Sequence, residues 1–189
     1  ANQKVKSFIT PSKNRRKEVG EKQAGIRIVT IGGGTGPFAL NQALKSYAFV
    51  SAIPGMWDSG GSTGVLRDEL GVLPPGDARQ ALVSLADNET MRTFFNHRLH
   101  NGPYENHAVG NIFLAGLEEL TGSFAKAIEM ASELLKIRGE VIPITTNKVH
   151  LCLRQENHEV IQGEHIIGEE CAGKNFFKFD PTAKLAVKN

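Results

Sequence analysis

Residues 26–56 read IRIVTIGGGTGPFALNQALKSYAFVSAIPGM, and this stretch decides the fold. "IRIVTI" is a short β-branched run that stops abruptly at Gly32, the pattern of a buried strand. "GGGTG" follows, with Pro37 at the first helical position and "FALNQALKSY" at helix-compatible spacing. "AFVSAIPGM" is a second apolar strand. Strand, helix and strand make one βαβ unit, and such a crossover implies a parallel sheet.

The next stretch, residues 56–82, reads MWDSGGSTGVLRDELGVLPPGDARQAL. Its Gly and Pro clusters leave little room for regular structure, and it reads as a ligand loop beside "GGGTG". A helix follows from Ala78 to Ala86, with Asp77 placed as its N-cap. Residues 89–99 are helical, "HNGPYENHAVGN" is a loop, and "NIFLAGLEEL" is an apolar helix ending at Gly122. Ser123 caps "FAKAIEMASELLKIR", which stops at Gly139. "EVIPI" is a strand. "KVHLCLRQENHEVIQGEHII" alternates Val149, Leu151 and Leu153 against His150, Cys152 and Arg154, turns near Glu156–Asn157, and predicts an antiparallel hairpin. The tail after it shows no clear periodicity and no closing element. The fold class is therefore α/β, Rossmann-like and doubly wound, with a mostly parallel sheet and a late antiparallel hairpin. Ligands of such sheets bind outside the carboxyl ends of the strands, where the flagged loops would converge.

Composition bounds the rest. With 189 residues, 40% of them hydrophobic and 22% charged, the chain can bury a core. Cys152 and Cys171 form no Cys-x-x-Cys pair, which points to a reducing, cytoplasmic setting. The apolar runs are too short and interrupted to cross a membrane, and the N-terminus has no apolar signal core. Residues 1–25 hold seven of the 22 Lys and Arg residues and two of the 20 acids, a balance of +5 against −3 for residues 26–189. The first segment reads as a solvated basic arm and the second as the α/β domain. A folded body that is slightly acidic argues against a nucleic-acid partner.

The motifs carry the chemistry. Gly34-x-Gly36-x-x-Ala39 has the spacing of a dinucleotide fingerprint, and it lies between strand and helix as that fingerprint requires. Without Cβ atoms, Gly32, Gly33, Gly34 and Gly36, with Thr35, bring N–H groups and a helix N-terminus up to phosphate oxygens. No Lys follows in P-loop position. Asp58 lies where a dinucleotide fold places its ribose acid, so NAD or NADP is a rival ligand. Ser59, Gly60, Gly61, Ser62 and Thr63 then add a second anion nest, and an acid beside hydroxyls suits a divalent ion with phosphate. Arg67 and Arg79 offer forks for phosphate. Asp77, Gly110 and Asn111 complete the candidate binding set. Asp58 and His107 are the candidate catalytic groups, and Asp58 the candidate metal ligand. His97 and His100 lack a third ligand at metal spacing, and His150, His158 and His165 fall on a hairpin face; all five read as surface residues.

In order, "IGGGTG", "DSGGSTGVLRDELGVLPPGDARQALVSLAD", "HAVGNIFLAGLEELTGSFAKAI" and "LLKIRGEVIPIT" resemble the CofD-like superfamily over about Ile26 to Gly168. The "LPPGDAR" segment is most similar to its bacterial YvcK-type branch, the gluconeogenesis factors. That resemblance implies a cytosolic regulator of carbon metabolism and cell shape that binds a nucleotide or a nucleotide sugar such as UDP-N-acetylglucosamine. The other branch implies a Mg²⁺-dependent 2-phospho-L-lactate transferase, which moves a phospholactyl group from a guanylyl donor. Asp58 matches the first acid of the family's Asp-Asp-Gly-Gly or Asp-Ser-Gly-Gly motif, and Ser59 stands where many relatives carry a second acid. His107, Gly110 and Asn111 match a Gly-His-Ser-x-Gly-Asn motif in which Asn106 replaces the glycine and Ala108 the serine. Family members are longer, so the resemblance implies a second half absent here. It implies a small-molecule nucleotide ligand and leaves homo-oligomerisation open.

Overall fold

A computed structural model describes residues 25–154, 160–171 and 184–188. The basic arm and the turn at Glu156–Asn157 lie outside the described residues, as does His158. Strand β1 (Arg27–Ile31) leads through helix α1 (Thr35–Leu44) to β2 (Phe49–Ile53), and the two strands pair in parallel. The third strand of that sheet, β3 (Glu140–Val141), joins β2 only after five further helices. These are α2 (Gly61–Leu70), α3 (Gly76–Leu85), α4 (Glu89–Asn96), α5 (Val109–Thr121) and α6 (Phe124–Leu135). A separate antiparallel sheet follows, with β4 (His150–Arg154) between β5 (Val160–Gln162) and β6 (Lys184–Lys188). Helix α7 (Glu164–Cys171) follows β5. The fold is α/β, with a parallel sheet and a late antiparallel element, as the residue pattern predicts.

Several elements differ from the expectation, each for a physical reason. Strand β1 is buried on one face only. Thr30 is buried, whereas Val29 and Ile31 remain 59% and 69% exposed. Val50, Ala52 and Val141, on the side of Thr30, enter the core; Arg27, Val29 and Ile31 share the other face. Helix α1 starts two residues ahead of Pro37, which therefore takes the third helical position, still within the turn whose N–H groups lack intrahelical acceptors. The stretch 56–82, read as a ligand loop up to the helix at Ala78, contains α2 as well as the start of that expected helix, α3. Left-handed Gly71 ends α2, and the Pro74–Pro75 pair separates the two helices. The helix over 89–99 stops at Asn96, and α6 ends at Leu135 with Lys136 left-handed. Its cap is Ser123 as expected, the hydroxyl accepting from the Lys126 N–H. "EVIPI" is a strand only at Glu140–Val141. The tail does close: β6 pairs with β4 from His150↔Lys188 to Arg154↔Lys184. His165 lies on α7 and not on the hairpin.

Helix α3 is the centre of the molecule. Ala78, Leu82, Val83 and Leu85 are fully buried, and they meet Phe95, Leu114, Ile128 and Leu135 from α4, α5 and α6. A helix covered on so many sides has no solvated stripe, so its polar residues must find partners inside. Ser84 does. Its hydroxyl accepts from Asn41 Nδ2 at 3.2 Å and donates to the Ala81 carbonyl at 2.7 Å. Asn41, itself buried, accepts through Oδ1 from the Thr30 hydroxyl at 2.7 Å. This chain ties β1, α1 and α3 together directly beneath the glycine loop. Thr30→Val keeps the shape but orphans Asn41 Oδ1, and should cost about 1–3 kcal/mol. A lower urea midpoint at unchanged slope is the expected reading.

Candidate functional site

Both parallel strands end at glycine-rich turns on one edge of the sheet. The first turn runs from Gly32, whose N–H donates to the Ile53 carbonyl at 3.1 Å, to Gly34 at φ 73°, ψ −151°, the N-cap of α1. That conformation lies on the positive side of φ, so glycine is required there. The second turn runs from Asp58 to Gly60, the N-cap of α2. Asp58 stabilises it by accepting the Gly60 N–H through Oδ1 at 2.9 Å.

Three further contacts draw the other helix starts to the same place. Asp77 Oδ1 accepts the Gly34 N–H at 2.9 Å across 43 residues. Asp77 is therefore no N-cap: Pro75 holds that position, and Asp77 stands in the first turn of α3. Gly76 is closely surrounded, since a methyl there would run into Thr63 Oγ1 and Asp58 Oδ2. Ser62 Oγ lies 3.1 Å from His107 Nδ1 and accepts from Asn111 Nδ2 at 3.2 Å. The N-termini of α1, α2, α3 and α5 thus converge, and the positive ends of their helix dipoles favour an anion.

The arginines stand differently from the phosphate forks of the sequence reading. Arg79 is buried, its Nε donating to Asn111 Oδ1 at 2.9 Å and its Nη1 to Asn96 Oδ1. Burial pulls its pKa down to about 10. Arg79 can only donate, which fixes the Asn111 amide: Oδ1 faces Arg79 and Nδ2 faces Ser62. Ser62 Oγ receives that N–H, and its own proton is left free to bond His107 Nδ1. Gly110 makes room for this packing, because a methyl there would meet Phe95 and the Arg79 side chain. Arg67 sits in the last turn of α2 and pairs with exposed Asp68 at 2.9 Å, at the other end of the helix from Gly60.

Electrostatics at the mouth is acidic. Burial raises the Asp77 carboxyl above the usual carboxylate range, and nearby Asp58 adds to the rise while the Gly34 N–H opposes it. Glu164 is raised too, by burial and then by Asp58 and Asp77. The sequence reading missed Glu164, Asn96 and Asn41. Glu164 lies at the start of α7, where the His165 N–H donates to Ser59 Oγ at 3.1 Å. No local pattern marks a contact made across 106 residues. Among the described residues no set of three or more His, Cys, Asp or Glu side chains is placed to hold a metal. No helix among them is long and apolar enough to cross a membrane. His97 and His100 are exposed, their rings 5.4 Å apart edge to face.

Comparison with known proteins covers most of this architecture. Residues 28–184 match the family described as 2-phospho-L-lactate transferase CofD. A gluconeogenesis-factor homologue from Aquifex aeolicus is 43% identical over 150 residues, covering 76% of this chain and 46% of the relative. The gluconeogenesis factor of Halalkalibacterium halodurans is 38% identical over 160 residues, covering 83% and 49%. A crystal structure of a Bacillus halodurans protein superposes with a TM-score of 0.74 at 37% identity, covering 77% of this chain and 48% of that one. The chain spans about half the length of the curated relatives it matches.

Proposed function

Because the chain belongs to the CofD family, with gluconeogenesis factors among its homologues, we propose that it forms the phosphate-cradling part of a nucleotide-sugar-binding regulatory protein of carbon metabolism and cell shape. The ligand is a uridine diphosphate sugar, its diphosphate lying across Gly32–Gly36 and Asp58–Gly64. The observation that carries this reading is the meeting of four helix N-termini at two glycine turns, held together by Asp77, Asp58, Thr63 and Ser62. Backbone N–H donors at glycine turns and converging helix dipoles suit a diphosphate, which needs many weak donors.

The transferase reading draws on the family description and on Asp58. Mg²⁺ is held by one or two carboxylates together with substrate phosphates. Asp58 would be its protein ligand here, with the phosphates completing the shell, since among the described residues no three His, Cys, Asp or Glu side chains stand together as a metal site. Bound there, the ion would neutralise charge on the phosphates.

Calorimetric titration of the chain with UDP-N-acetylglucosamine, GDP and NAD, each with and without Mg²⁺, tests the proposal. Metal-independent uridylyl binding supports it. Binding confined to GDP with Mg²⁺ moves the protein to the transferase reading, and binding of NAD alone sinks both. Asp58→Asn should weaken uridylyl binding about tenfold while leaving Tm within a few degrees, by loss of the charge-assisted hydrogen bond that the carboxylate accepts from a sugar hydroxyl of the ligand.

A further inference from the structure

One N–H of the glycine turn, that of Gly34, already has an acidic guest, and it comes from the protein itself. Asp77 Oδ1 takes the Gly34 N–H at 2.9 Å, and the carboxyl lies so close to Gly33 that a methyl there would overlap it. The remaining space between the turn and α3, bounded by Thr30, Phe38, Asn41 and Gln80, amounts to about 10 Å³. That is room for roughly one water and no phosphate. A diphosphate that reaches for the Gly34 N–H comes up against the Asp77 carboxyl, and two anions cannot share that position without repelling each other.

We propose that Asp77 is a proton-linked gate for anionic ligands: it binds the diphosphate as the neutral acid, with one oxygen still on the Gly34 N–H and its own O–H donated to a phosphate oxygen. The inference rests on the phosphate-cradle reading of this site. One proton is taken up from solvent per ligand bound, and it is released when the ligand leaves. The groups around Asp77 favour this step. Asp58 faces it from the second turn and Glu164 from the start of α7, both of them acids, while Arg79 on α3 opposes proton uptake. Burial already holds the carboxyl in a raised range before any ligand arrives. A second negative neighbour raises it further, as with two carboxylates in one site. Specificity follows from the same geometry. A ligand that brings no negative charge to this turn does not protonate Asp77, so the gate separates diphosphates from neutral sugars.

The test uses UDP-N-acetylglucosamine, whose diphosphate diester has no ionisation near neutrality, so that any proton uptake belongs to the protein. Titrations between about pH 6 and pH 8, in two buffers of different ionisation enthalpy, count the protons. The native chain should take up close to one proton at the upper end, with affinity falling toward tenfold per pH unit. Asp77→Asn copies the neutral acid, since its Oδ1 accepts the Gly34 N–H and its Nδ2 donates to phosphate. It should bind more tightly than the native chain at the upper end and lose the proton uptake. A second readout needs no ligand. A raised carboxyl destabilises the native state increasingly as pH climbs from the ordinary Asp range to the raised value, and constantly above it. Asp77→Asn should therefore show a higher Tm at neutral pH, and an advantage that shrinks as pH falls through that window. Binding without proton uptake, or weaker binding by Asp77→Asn, overturns the gate and leaves the cradle standing. If neither protein binds the nucleotide sugar or inorganic pyrophosphate, both readings fall.

Discussion

Gly139→Ala is expected to destabilise the protein by about 4 kcal/mol, the sum of two penalties. Gly139 precedes β3 at φ 116°, a conformation that side chains rarely adopt. A residue forced into it costs about 1–3 kcal/mol. The new methyl would also press into the backbone of Val50, overlapping its carbonyl oxygen and lying 3.1 Å from its carbon. Val50 is fully buried in β2, the central strand of its sheet, so it cannot step aside, and overpacking adds about 1–3 kcal/mol more. Gly116→Ala is the control. Gly116 lies on the exposed side of α5 with open space around it, and the change should stabilise by about 0.5–1 kcal/mol. Urea denaturation of both variants checks the pair. A cost below about 1 kcal/mol for Gly139→Ala would contradict the parallel pairing of β2 with β3.

Arg79→Ala should cost about 3–5 kcal/mol, and it should also disorder one side of the candidate site. The deletion leaves a cavity beside α5 and strips the donors from two amide oxygens, Asn111 Oδ1 and Asn96 Oδ1. The buried Asn111 oxygen, once orphaned, costs about 1–3 kcal/mol, while exposed Asn96 can turn to water. With its anchor gone, the Asn111 amide is free to turn, and Ser62 and His107 lose their fixed hydrogen-bond direction. Arg79→Lys reaches one oxygen at most and should recover only part of the stability. The measurement is again urea denaturation, together with nitrogen-15 shifts of the His107 ring. A native-like ring spectrum in Arg79→Ala would show that Arg79 does not orient this network.

Both changes act at residues that the sequence marks only in part. "GGGTG" and "LPPGDAR" are visible as motifs because they are local: glycines without Cβ atoms and a helix start leave a pattern within a few residues. The direction in which Arg79 points is not local. An arginine in the first turn of a helix next to a glycine-rich loop suits phosphate by type, yet its side chain turns inward because α3 is enclosed on most sides and Asn96 and Asn111 stand within reach. Strand β1 shows the same division. Its β-branched run identifies a strand, but whether one or both faces are covered depends on elements far away in the chain. The late strand β6 had no periodic signal at all, and it is recognised only through its pairing with β4.

The amino-acid sequence by itself determined the βαβ unit, the parallel sheet, the two glycine turns and the antiparallel hairpin, because period and turn chemistry are short-range properties. The tertiary structure alone decided which polar groups meet. It set Asp77 on Gly34, hid Arg79 behind Asn111, and bonded the start of α7 to Ser59, across 43, 32 and 106 residues. Such pairings are selected by the packing of whole helices, in which a buried donor or acceptor must find whatever partner the fold brings beside it.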